Sequence, residues 1–201
     1  MAEVVAYHVI FGTHGSWLPN DPRGSKSTEV RAANLRPFGD ATWTESRRSV
    51  AGSAHDGGAR RRAKQVLVYP EVFFNDAQAA AVARGFAAQT ATSGYAILAC
   101  SILAQHVHLV IRRHVYAIEQ VGRLLRQAAT AALLSEGLHP FAGFRAASGR
   151  LPSVWAQDFW KVFLFTEADV EEKMRYVENN PLKEGKLAQR WPFLTPFQPA
   201  V

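Results

Sequence analysis

Between Asn75 and Leu134 the chain reads helix, strand pair, helix, and that order narrows the possible folds most. Asn75 is a good helix cap, and Gln78 stands at the third helical position, where a side chain can return a bond to the cap. Val82 and Phe86 follow one turn apart, and Gly94 is a natural stop. Two apolar stretches come next, Ala96 to Cys100 and His106 to Ile111, joined around Ala104 and Gln105. Tyr116 to Leu134 is rich in alanine. Its apolar set is Ile118, Val121, Leu125, Ala128 and Ala132, with Glu119, Arg123, Arg126 and Thr130 as a polar stripe. A strand precedes this block at Tyr7 to Phe11. A run apolar on both faces follows it from Val154 to Phe165, as in a strand covered on both sides. Thr166 and Asp169 then resemble a capping box that opens a last helix, about 167–179, ended by Pro181. The whole order is strand, helix, strand pair, helix, strand, helix. It predicts an α+β fold with helices packed on an antiparallel sheet.

At 201 residues the chain suits one domain over 1–201. Residues 25–65 show no periodicity, carry four glycines and the run Arg60-Arg61-Arg62, and read as a partly disordered insertion. The single cysteine, Cys100, excludes an intramolecular disulfide and any multi-cysteine metal site, which favours a reducing cytoplasm. Met1 to Val9 lack a secretion signal, and no apolar run approaches the ~20 residues of a spanning helix, so no membrane partner is expected. The net charge of +6 admits nucleic acid. Residues 1–114 hold thirteen basic side chains against eight acidic ones; the remainder hold ten against nine.

Four groups of residues can carry chemistry. His106 and His108 are two apart on a strand and so share a face, a two-imidazole platform for a divalent metal. Their alternative is two hydrogen-bonded, half-buried histidines. Tyr176 and Asn180 are one helical turn apart, with Lys173 on the same face. A tyrosine beside a cation is a plausible nucleophile, and an asparagine carbonyl a plausible ligand. The ordinary alternative is a half-buried tyrosine and an asparagine that closes the helix. The basic residues Arg112, Arg113, Arg123 and Arg126, and the run from Arg60 to Lys64, suit phosphate contacts or a merely solvated face. Trp17, beside His14 and Arg23 in a turn-rich loop, suits a contact with an unpaired base, whereas Trp155 and Trp160 read as core.

Taken together, these motifs resemble a known family. Gly94 to Val110, with its histidine–hydrophobic–histidine segment at 106–108, resembles that segment of the single-tyrosine HUH transposases. Tyr176 to Gly185 is similar to their tyrosine helix, and Trp155 to Phe159 to the tryptophan-bearing strand before it. Tyr7-His8-Val9 and His14 to Leu18 resemble the REP-associated tyrosine transposase branch. The resemblance implies a ferredoxin-like antiparallel sheet with helices on one face, usually in a homodimer. It implies cleavage and rejoining of single-stranded hairpin DNA. His106, His108 and Asn180 would hold Mg²⁺ or Mn²⁺, Asn180 standing where many relatives carry glutamine. Tyr176 would become linked to a 5′-phosphate. Leu103-Ala104-Gln105 departs from the methionine–proline–acidic or –asparagine turn of many relatives, and Ala156 and Asp158 depart from their tryptophan motif. A domesticated protein that binds hairpin DNA without cutting it is the alternative. Metal hydrolases that use paired histidines fit the length and flanking residues poorly.

Overall fold

The computed structural model describes residues 3–23, 29–42, 50, 52–144 and 149–198. It contains four strands, β1 (Ala6–Gly12), β2 (Ile97–Ile102), β3 (His106–Arg112) and β4 (Trp160–Leu164). Its α-helices are α1 (Gly57–Gln65), α2 (Asp76–Ser93), α3 (Ile118–Ser135) and α4 (Glu167–Lys183), and a 3-10 helix spans Ala33–Phe38. The strands form one sheet in the order β2-β3-β1-β4, and every pairing is antiparallel. This is the ferredoxin-like α+β arrangement. It places the two motif-bearing strands, β1 and β3, at the centre.

Strand parity divides the sheet between two cores. Val9, Phe11, Val107, Leu109 and Ile111 face α2 and α3, where they meet Val82, Phe86, Val121 and Leu125. The opposite face offers Ala6 and Val110 to Val170 and Val177 of α4. A register shift between Ile97 and Ala99 turns Leu98 and Ala99 both toward α4, adding apolar surface where strict alternation would give only one residue. Helices therefore cover both faces, where the resemblance implied one.

The local signals explain most element ends. Asn75 and Gln78 make the reciprocal capping box, and Gly94 closes α2 at φ 67°. Thr166 and Asp169 do the same for α4. Pro181 does not end that helix; it lies within the last turn, and the helix runs on to Lys183. Proline removes only its own N–H, and its carbonyl still accepts from Glu184 and Lys186 at 3.1 and 2.9 Å. In α3 the buried stripe is Ile118, Val121, Leu125, Ala129 and Leu133, and the expected Ala128 and Ala132 are only half-buried. A helix of 3.6 residues per turn favours the four-residue step there.

Two expectations change more. The aromatic run from Val154 forms a strand only from Trp160, and among the described residues β4 pairs with β1 alone. As an edge strand it stays half-exposed, with Phe163 40% accessible, and is not buried on both sides. Trp155 makes an isolated bridge to Thr13 and gives its indole N–H to α3, at Thr130 Oγ1 (3.1 Å) and the Arg126 carbonyl (3.2 Å). The expected insertion includes α1, which carries Arg60, Arg61, Arg62 and Lys64, and the 3-10 helix. Positions 24–28, 43–49 and 51, Trp43 among them, lie outside the described residues.

Candidate active site

The site forms where β3 begins. Gln105, just before it, is anchored by the loop that leaves β1. The Thr13 amide and the Ser16 hydroxyl donate to the Gln105 carbonyl at 2.9 and 3.0 Å, and the Thr13 hydroxyl donates to the Val72 carbonyl at 2.7 Å. The next residue, His106, lies opposite Gly12, and His108 lies opposite Ile10. The two imidazoles share the α4 face as their spacing predicts, with ring centroids 4.9 Å apart. His8 on β1 points to the same face. Its Nε2 is 3.0 Å from His108 Nδ1, and the two rings are nearly parallel, 13° apart.

α4 crosses above these rings. The Tyr176 ring centroid is 5.7 Å from that of His8 and 5.7 Å from that of His108, edge to face in both cases. Lys183 and Lys173 place their ammonium groups 4.7 and 5.9 Å from the centre of the tyrosine ring. Asn180, one turn on, is buried, and its Nδ2 has no hydrogen-bond partner among the described residues; His106 Nδ1 is in the same condition. Glu184, just past the helix, stands 3.8 Å from His106 Nε2.

Burial sets the protonation of this cluster. Desolvation, with Lys173 adding to it, lowers His8 to about 4. Desolvation, with Arg23 adding to it, lowers His106 to about 4. Burial and the neighbouring histidines hold His108 well below its usual value. All three rings are therefore neutral near pH 7, and the His106–Glu184 approach is a dipolar contact and not an ion pair. Burial also raises the Tyr176 phenol above its ordinary value, so an unaided phenolate is scarce near neutrality.

The donor set fits a divalent cation on two grounds. Neutral imidazoles offer lone pairs. The buried Asn180 amide nitrogen is a polar group that the described residues leave unsatisfied. Among the described residues no three His, Cys, Asp or Glu side chains are arranged to hold a metal.

The other expected residues separate in space. Arg23 belongs to the site's surroundings. It is bound to buried Asp21 at 2.5 Å, which Arg60 also approaches at 3.7 Å. Lys173 is beside Tyr176 and pairs with Glu172 at 2.8 Å. Arg112 and Arg113 lie at the other end of β3, about 20 Å from His106 at ~3.3 Å per residue; one contacts the Gln198 carbonyl and Phe197, the other pairs with Glu3. Arg123 and Arg126 are on α3, behind the sheet. Arg126 is spent internally, donating to the Ala156 carbonyl at 3.0 Å and lying over Phe11 and Phe159, while Arg123 reaches Gln127. Trp17 covers Gly12 and, with Arg123, Gln127 and Trp155, lines a cavity of about 850 Å³ on that side. The spacing argument missed His8, Thr13, Ser16 and Glu184. Pairing of β1 with β3 brings the first three in, and no local pattern announces it. Among the described residues no helix is long and apolar enough to cross a membrane.

No family model matches the sequence, and no curated protein matches it. Among solved structures, the chain is similar to a REP-associated tyrosine transposase bound to a REP hairpin, with 11% identity and a TM-score of 0.48 over 93% of this chain and 73% of that one. It is also similar to a Deinococcus radiodurans R1 protein described provisionally as a transposase, with 12% identity and a TM-score of 0.42 over 89% of this chain and 92% of that one.

Proposed function

We propose that the protein is a metal-dependent transposase of the single-tyrosine type. It would cleave and rejoin single-stranded DNA beside a hairpin. The observation that carries this reading is the approach of Tyr176 to the histidine pair. Its ring stands edge to face against His8 and against His108, whose own ring is 4.9 Å from that of His106.

His106, His108 and Asn180 would hold Mg²⁺ or Mn²⁺. When bound, the cation polarises a phosphate and stabilises the charge that develops during in-line displacement. The chain's own residues supply the rest. The Tyr176 oxygen attacks phosphorus and the P–O3′ bond breaks. The phenolic proton ends on the departing 3′ oxygen. A 5′-phosphotyrosine ester and a free 3′ hydroxyl result. Because the ester replaces one phosphodiester linkage with another, attack by a 3′ hydroxyl rejoins DNA without a further energy source. Lys173 and Lys183 offset the phosphate charge beside the nucleophile. Arg23, held by Asp21, extends this positive field toward His106.

The test is a covalent-adduct assay with labelled single-stranded hairpin DNA and Mn²⁺, resolved on a denaturing gel. A shifted band that disappears in Tyr176→Phe, with DNA affinity kept, supports the reading. Tight hairpin binding without a band on any substrate would refute it in favour of a non-catalytic binding protein. Cleavage without a band would point to a hydrolase. Light scattering should give twice 22.2 kDa for the homodimer that accompanies this reading.

A further inference from the structure

His8 is the one ring of the cluster that the proposed chemistry leaves without a task. It is buried on a central strand, and its Nε2 faces His108 Nδ1 at 3.0 Å. Each neutral imidazole carries one N–H and one lone pair. Two neutral rings meeting nitrogen to nitrogen at this distance therefore have only two favourable states. If His8 donates, the proton of His108 sits on its own Nε2, and neither nitrogen of His108 has a lone pair free. If His108 donates from Nδ1, its Nε2 lone pair is open.

We propose that His8 is a positioning residue. It accepts the Nδ1–H of His108 and so holds His108 in the tautomer whose Nε2 can bind a divalent cation. This rests on the metal reading of the site given above. The lone pair that the cation needs on His108 Nε2 sets this direction of the bond, and two features of the structure hold the rings in contact. The nearly parallel rings fix the torsion of His108, whose neighbours Val107 and Leu109 are locked into the opposite core. Register sets His8 opposite Val110 and His108 opposite Ile10, so the contact is a diagonal one between paired strands and is as rigid as the sheet itself. A partner that orients a ligand histidine through its other nitrogen commonly changes metal affinity by about 10–100-fold.

The experiment has two readouts. Nitrogen-15 NMR of the metal-free protein reports the tautomer of each imidazole. The expected result is a proton on His108 Nδ1 and none on its Nε2. Mn²⁺ titration by calorimetry then compares wild type, His8→Gln and His8→Phe. Glutamine can still accept through its oxygen and should keep most of the affinity. Phenylalanine cannot, and should weaken Mn²⁺ by about 10–100-fold. A proton on His108 Nε2 in the wild type, or a folded His8→Phe that binds Mn²⁺ as the wild type does, overturns the proposal. Should neither variant fold, the wild-type tautomer decides alone. Wild-type protein with the expected tautomer but no affinity for Mn²⁺ would overturn the metal reading of the site, and with it the purpose assigned to the bond; the direction of the bond would be measured all the same.

Discussion

Gly85→Ala is a sharp test of how closely α2 and α3 approach each other behind the sheet. A Cβ on Gly85 would stand 2.5 Å from the Ala128 carbonyl oxygen, 2.5 Å from Ala129 Cα and 2.6 Å from Ala129 N. Non-bonded carbons prefer ~3.5–4.0 Å, so the helices must part by about 1 Å along this line. The obstacle is backbone, and no rotamer change relieves it. Such a gap forfeits about a quarter to a half of the dispersion attraction across the crossing, where Val82, Phe86, Leu125 and Leu133 meet. Overpacking of this kind costs about 1–3 kcal/mol, and a backbone obstacle puts it at or above the top of that range. Helix propensity acts in the other direction, since alanine is preferred to glycine by about 1 kcal/mol. The net expectation is a loss of about 2 kcal/mol. With a urea slope of roughly 2 kcal/mol/M, the unfolding midpoint followed by circular dichroism should fall by about 1 M. A variant as stable as the wild type, or more stable by the propensity difference, would refute the close approach.

Three further outcomes follow from the same physics. Asp21→Asn removes a 1% exposed carboxylate that holds Arg23 and Arg60. Because each arginine is about a third exposed, the loss should be about 1–3 kcal/mol in thermal unfolding, below the cost of breaking a wholly buried pair. Asn75→Ala deletes one half of the α2 capping box and should cost about 1 kcal/mol by chemical denaturation. His8 and His106 are lowered from 6.5 to about 4, so the unfolded chain takes up protons first as pH falls. Their stabilisation is complete above pH 6.5 and is lost between pH 6.5 and 4, at most about 3 kcal/mol for each ring. Denaturation of chelator-treated protein across that range measures it; stability that rises on acidification from pH 6.5 would contradict the burial argument.

The helices with caps were readable because their signals are local. Asn75 with Gln78 and Thr166 with Asp169 each carry the whole geometry of a helix start within four residues. The shared face of His106 and His108 follows from strand parity in the same way. His8 and the Thr13–Ser16–Gln105 link needed the β1–β3 register, a pairing across about a hundred residues that no short window contains. Arg112 and Arg113 look close to the histidines in sequence, yet an extended strand carries its two ends far apart. The aromatic run at 154–159 misled for another reason. Its large rings turn toward Phe11, Phe74 and α3 to fill a corner, and a corner imposes no fixed period.

The two cores are unequal, and the proposed nucleophile rides on the smaller one. α2 and α3 share a broad cluster with the sheet, whereas α4 is fixed chiefly by Val170 and Val177 against Ala6, Leu98, Ala99, Val110 and Leu164. Regions with fewer buried apolar contacts open at lower free energy than the whole domain. Local release of α4 would carry Tyr176 away from the histidines while β1 and β3 stayed paired. Alignment of nucleophile and ligands is then an equilibrium of its own, with a free energy smaller than that of unfolding. Amide exchange along α4 would report that equilibrium directly. Val170→Ala or Val177→Ala should lower the aligned fraction well before it lowers the melting temperature in proportion.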